Sequence, residues 1–444
     1  MPTLGDHGVI TRREYPTHGS EYPTTGSTMP DSPPPSSRLP GGGSGGPGAG
    51  LLLSGARLSD GRTVDVRLAR GRIEAVGTVG SLAPGGAHTV DLGGWLLLPA
   101  PAEPHAHADT ALTALSGGPP DDSPRAVRAR ATEAALLQLG HGATAQRAHV
   151  RVGDVQGLAA LEAVLQARTA LHGLAELSVV AVPRLLTGVA GAEGRAQLRD
   201  AVKMGAAVVG GCPDLDPDPT GYTETLLAVA AEHGCPVDLH TAAEDPVRLA
   251  RLAAMAGGLR PGVALGPCGG LARLPDMVAG RAAESLAAAG VAVVALPQGD
   301  CRGTERRGTT SAPVRLLRAA GVTVTAGSGA LRDQANPVGR GDPLEAAYLL
   351  AAQHRLGPEE AYAAVSATAR AVLGLPEVRV EAGFPAELLA VRGDQLAGAL
   401  SLAYGRLVVH GGRVVARTSA VREYCDSAAG LDLPRQSRAP RRTP

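Results

Sequence analysis

The chain has 444 residues with 44% apolar content, enough to bury one large core, and it suits a barrel-sized domain plus a satellite better than several small domains. Forty-two basic and 42 acidic residues cancel, which argues against a global field aimed at nucleic acid or an anionic membrane, and an aromatic content of 2% argues against base-stacking platforms. Five cysteines without a CxxC pair argue against a disulfide framework or a thiolate zinc site and fit a reducing compartment. No apolar run approaches the ~18 residues of a membrane helix, and the first thirty residues carry charges and prolines in place of a signal core. A cytoplasmic protein without a membrane or nucleic-acid partner is expected, with the oligomeric state left open.

In chain order, residues 1–48 are rich in Pro, Gly and Ser and hold the repeat Glu14-Tyr15-Pro16-Thr17, Glu21-Tyr22-Pro23-Thr24, which cannot offset its ordering entropy. They read as a disordered tail, and residues 417–444 as a second, Arg/Pro-rich tail. Strand text begins at Val64-Asp65-Val66-Arg67-Leu68 and Arg72-Ile73-Glu74-Ala75-Val76. Then Trp95–Ala100 opens a regular alternation of apolar runs and helices. The helix at 124–139 starts with Ser123 as N-cap and Pro124 at its first position. Runs at Thr144–Val150, Leu177–Val182, Ala206–Gly210, Pro236–His240, Val263–Gly266, Val291–Leu296 and Val322–Ala326 follow. Eight apolar strands alternating with helices predict an α/β fold, a (β/α)8 barrel of the TIM type over 99–375. A doubly wound open sheet is the competing arrangement. The flanks, 49–98 and 376–416, are expected to join as one composite β-sandwich domain, because neither has enough strands to close a core alone.

The chemistry-bearing phrase is Pro104-His105-Ala106-His107-Ala108-Asp109 at the end of the first run. Histidines at i and i+2 on an extended segment point the same way and can share one ion. The plain alternative is two polar residues closing a strand. His240 ends the fifth run, and three neutral imidazoles can hold Zn²⁺ or Fe²⁺ while leaving a position for water.

Several phrases together resemble the cytosine deaminases of the amidohydrolase superfamily. They are Pro104–Ala114, the strand Thr144-Ala145-Gln146-Arg147-Ala148-His149-Val150, the strand Ala206–Pro213, and Asp333, Asn336, Pro337 and Gly339 after the eighth strand. The similarity runs from about residue 51 to 416 in consistent order. It implies a divalent metal held by His105, His107, His240 and an eighth-strand Asp, with a Glu three residues after the fifth-strand His and a sixth-strand His carrying protons. It also implies a Gln after the third strand that reads a pyrimidine, and therefore a small heterocyclic ligand.

The chain departs from that pattern at each proton carrier. Ala243 stands at the Glu position, Pro267 at the sixth-strand His and Gly329 at the eighth-strand Asp, while Arg184 replaces the Gln and Ala335 a loop Trp. The candidate metal ligands are thus His105, His107 and His240, with a zinc or iron ion held weakly or absent. Glu244 and Asp300 are candidate catalytic residues, and Arg184, Ser328 and Asp333 candidate pocket residues. Two readings stand: a hydrolase of non-peptide C–N bonds with impaired or changed activity, and an inactive barrel that binds a small molecule or a protein partner.

Overall fold

The computed structural model describes residues 50–116, 119–153, 157–299, 311–402 and 405–419. The expected tail at 1–48, the part of the second tail beyond Ser419, and Asp300 lie outside the described residues. Five strands come first: β1 (Leu51–Arg57), β2 (Thr63–Ala69), β3 (Arg72–Thr78), β4 (His88–Asp91) and β5 (Trp95–Pro99). Eight more pair in sequential order, each parallel to the next: β6 (Ala102–Ala106), β7 (Ala145–Val152), β8 (Glu176–Pro183), β9 (Val208–Gly211), β10 (Val237–Thr241), β11 (Val263–Pro267), β12 (Ala292–Ala295) and β13 (Val324–Ala326). A parallel bridge between Ala106 and Gly329, with the Gly329 N–H donating to the His105 carbonyl at 3.1 Å, closes this ring as a barrel. The last three strands are β14 (Leu388–Arg392), β15 (Arg406–His410) and β16 (Arg413–Thr418).

The barrel helices begin where the sequence supplies a cap and a preset φ. Ser123-Pro124, Asp218-Pro219, Asp245-Pro246 and Asp342-Pro343 start α1 (Pro124–Gly140), α4 (Pro219–His233), α5 (Pro246–Ala256) and α8 (Pro343–His354), and each cap side chain accepts a backbone N–H. The other barrel helices are α2 (Ala159–Ala170), α3 (Gly191–Met204), α6 (Asp276–Ala288) and α7 (Val314–Ala319). Gly205 and Gly234, both left-handed, end α3 and α4. Among the described residues, no helix is long and apolar enough to cross a membrane.

The flank strands form one eight-stranded sheet ordered β16-β15-β14-β5-β1-β2-β3, with β4 also paired to β1. This corrects the expected first barrel strand. The run Trp95–Ala100 supplies β5, antiparallel to β14, and the barrel opens on β6 instead. The cause is burial on two sides. Leu96 and Leu98 of β5 pack with the barrel core while Leu97 packs with the core of the flank sheet, so its text is continuously apolar like that of a barrel strand. β6 reads Ala-Glu-Pro-His-Ala and hides its strand character behind polar residues that face inward. Pro104 has no N–H for the ladder, and the β6–β7 register shifts by one residue between Glu103 and Ala106, a bulge beside the first histidine.

A buried strut ties the flank sheet to the barrel. Arg406 of β15 donates from both terminal nitrogens to the Asp342 carboxylate at 2.7 Å, and also to the His141 carbonyl at 2.7 Å. Burial would raise the Asp342 carboxyl; the hydrogen bonds and charge of Arg406 outweigh it and hold the group below its ordinary value. Replacing Arg406 with Leu leaves that carboxylate buried without its cation and should cost about 3–5 kcal/mol at pH 7. A depressed carboxyl contributes its stability above the unfolded value of ~3.9 and loses it as pH falls through the folded one. Urea midpoints of variant and parent should therefore differ most near neutrality and converge as pH falls below about 4; equal midpoints at pH 7 would refute the strut.

Candidate metal centre

Successive residues of a strand alternate between the two faces of a sheet, so polar residues two apart on a barrel strand can share the interior. Three strands carry such pairs: Glu103 and His105 on β6, Arg147 and His149 on β7, Asp238 and His240 on β10. With His107, just past β6, they bring four imidazoles together. Ring centroids lie 4.1 Å apart for His105–His149, 4.5 Å for His105–His240 and 4.6 Å for His149–His240. His107 sits 5.1 Å from His240 by centroids, with the two Nε2 atoms 3.3 Å apart. One ring nitrogen from each of His105, His149 and His240 falls within 4.8 Å of the others.

A carboxylate lies against this cluster. Asp238, with no exposed surface, accepts from Arg147 Nη1 at 2.9 Å through Oδ2, while its Oδ1 lies 3.4 Å from His149 Nε2 and 4.0 Å from His105 Nδ1. Burial would raise its carboxyl, but the contacts with His149 and Arg147 prevail and hold it below the ordinary range. The histidine values shift downward as well, and for them burial is itself the first cause. Burial, then the neighbouring His149, His240 and His107, push His105 well below the usual imidazole value. Burial and His149 lower His107 to about 4 against the opposing pull of Asp109 and Asp333. Both rings are neutral at pH 7, the form in which a histidine binds a metal. Two Zn–N bonds in a tetrahedron set nitrogens ~3.3 Å apart, the separation found between His107 and His240. The donor set therefore fits a divalent ion.

The structure brings together the three sequence-derived candidates, His105, His107 and His240, and adds His149 to the cluster. It separates most of the other candidates from them. Glu244 is exposed and ion-paired with Arg273, and it lines a cleft of about 300 Å³ between α4 and α5 whose walls include none of the four histidines. Arg184 is exposed after the end of β8. Ser328 is buried, and its hydroxyl and N–H both donate to the Glu103 carboxylate rather than lining an open pocket. Burial pushes Glu103 up to about 7, against the hydrogen bonds of Ser328 and the His105 N–H. Asp333 accepts from Thr110 Oγ1 at 3.1 Å and from the N–H groups of Ala335 and Asn336, so it ties the loop after β13 to the loop after β6. Sequence reasoning passed over Glu103, Arg147, His149 and Asp238 as site residues. The available signal was the i, i+2 spacing of polar residues inside otherwise small or apolar strands, the same signal that exposed His105 and His107.

The positions that depart from the deaminase pattern have their own geometry. Ala243 is buried with φ +56°, and Gly329 has φ +67°. A Cβ on Gly329 would lie 3.1 Å from Leu296 Cδ1, so its backbone and its neighbour both disfavour a larger side chain.

Comparison with known proteins agrees with this architecture. The chain is 31% identical over 242 residues to a pterin deaminase of Rhizobium rhizogenes, an alignment that takes in 50% of this chain and 54% of that protein, about half its length. N-isopropylammelide isopropylaminohydrolase from Burkholderia multivorans superposes with a TM-score of 0.72 at 26% identity, over 83% of this chain and 99% of that one. 5-Methylcytosine deaminase from Klebsiella pneumoniae superposes with a TM-score of 0.75 at 23% identity, over 85% and 100% respectively, which is a likeness of fold. The model of the amidohydrolase family matches residues 125–416. With that match running from α1 through the remaining barrel strands and into β16, the chain belongs to the amidohydrolase family.

Proposed function

We propose that this protein is a metal-dependent hydrolase of a non-peptide C–N bond in a small nitrogen heterocycle, with proton handling that departs from the cytosine deaminases. The observation that carries this reading is the convergence of the His105, His107 and His240 rings at the C-terminal end of the barrel strands, where barrel enzymes keep their sites. A zinc or iron ion held by these residues would supply a Lewis acid that lowers the pKa of water. The net reaction adds water to a ring carbon and releases ammonia or an amine, leaving a carbonyl. The heterocycle class is suggested by the relatives, whose names specify a pterin, a cytosine and an ammelide.

Cytosine itself fits poorly. Ala243, Pro267 and Gly329 carry no titratable atom where the resemblance calls for two proton carriers and a metal-binding base, and exposed Arg184 replaces the amide that would read the pyrimidine. Loss of one general acid or base costs about 10²–10⁴-fold in rate. The same three residues favour the second reading, a barrel that binds its ligand without turning it over.

Two measurements separate the readings. Metal analysis of the purified full chain should find close to one zinc or iron per molecule, and His105→Ala should abolish it; unchanged metal content in that variant would remove the basis of the proposal. Ammonia or amine release should then be followed with zinc-loaded protein on pterin, N-isopropylammelide, 5-methylcytosine and cytosine. We expect turnover of at least one of the first two, and cytosine slower by about 10²-fold or more. Stoichiometric metal with no release from any of the four would establish the binding-only reading.

A further inference from the structure

The side chain that the sequence left out of the site, His149, has no assigned task. It is 1% exposed, on β7, and its ring centroid lies closer to His105 than that of any other member of the cluster, at 4.1 Å. Its Nδ1 has no hydrogen-bond partner among the described residues, although buried polar atoms are almost always satisfied. The other nitrogen, Nε2, faces Asp238 Oδ1 at 3.4 Å, an ion-pair approach in which neither atom completes a hydrogen bond. Asp238 is in turn oriented by Arg147, whose Nη1 donates to the opposite carboxylate oxygen at 2.9 Å. A carboxylate that accepts the N–H of one ring nitrogen fixes the tautomer and leaves a lone pair on the other, the arrangement found behind metal-bound histidines.

We propose that His149 is a ligand of the metal centre, held in its binding tautomer by Asp238 and Arg147, so that a fourth imidazole takes over from the carboxylate that Gly329 cannot supply. This rests on the metal reading given above. The donor set is then the four imidazoles of His105, His107, His149 and His240, with the single negative charge of Asp238 one layer behind the ligands. Such a site favours borderline metals with a preference for imidazole, zinc and copper(II) among them, over oxygen-seeking magnesium or manganese. His149 is thereby a metal ligand, and Asp238 and Arg147 are positioning residues.

The test uses the full chain and zinc alone. X-ray absorption of the zinc-loaded wild type should report four imidazoles; three would overturn the proposal without disturbing the metal reading. Zinc affinity, measured by competition with a chelator, should fall by at least 10²-fold in His149→Gln, and Asp238→Asn should cost roughly 10–100-fold. His149→Gln should melt at the temperature of the metal-free wild type yet lose the upward shift that zinc confers. A wild type that takes up no zinc overturns the metal reading itself, whereas zinc lost in His105→Ala but fully retained in His149→Gln overturns only the role of His149. If His149→Gln fails to fold, the absorption measurement on the wild type decides alone.

Discussion

A fully buried carboxylate is costly unless its charge is met, and the interior of this barrel is arranged around meeting one. Removing a carboxylate from water costs several kcal/mol even after the protein relaxes, so Asp238 persists only because Arg147 and two imidazoles surround it. With one oxygen fixed by the guanidinium, the other is left directed at His149 and His105. The order of the cluster therefore does not wait for a ligand to arrive. It is set by the requirement that β7 and β10 neutralise each other across the barrel, and the histidines one layer above inherit that alignment.

The end of the eighth strand works as backbone support in the same arrangement. A Cβ on Gly327 would come within 2.5 Å of Glu103 Oε1 and 3.3 Å of His105 Cβ, so this stretch of chain is small because β6 presses against it. Ser328 satisfies Glu103, and Gly329 gives its N–H to the His105 carbonyl. What the sequence comparison shows as a missing aspartate is, in three dimensions, a segment whose polar groups are committed to holding the first strand. The positive φ at both Ala243 and Gly329 adds that two of the vacated positions sit on backbone unsuited to simple reinstatement of a long side chain.

Much of this was legible in the sequence for definite reasons. Seven of the eight barrel strands follow from apolar runs between capped helices, because a parallel strand covered on both faces leaves no polar alternation to confuse it. The eighth failed where that rule has two solutions: Trp95–Pro99 is also covered on both faces, but by two different cores. His105, His107 and His240 could be singled out because the i, i+2 spacing of the first two and the strand-end position of the third aim all three at one mouth of the barrel. Asp238 and Arg147 were not, since a single sequence gives no sign that two residues 91 positions apart neutralise each other. Asp333 has a task its motif position did not reveal: its hydrogen bonds hold the loop, while its charge acts on His107.

The sheet built from both flanks imposes an order of events during synthesis. β5 leads directly into β6, which carries His105 and runs on to His107, yet it completes its ladder only with Leu388–Arg392, nearly three hundred residues later in the chain. While the ribosome is adding the barrel helices, the apolar row Leu96-Leu97-Leu98 has no final partner on that edge, and unpaired edges of this kind invite association with other chains. The last strands are therefore a late clasp on the first part of the site. A nascent chain released before β14 would hold every histidine of the cluster and still lack the anchor that fixes where the first two of them begin.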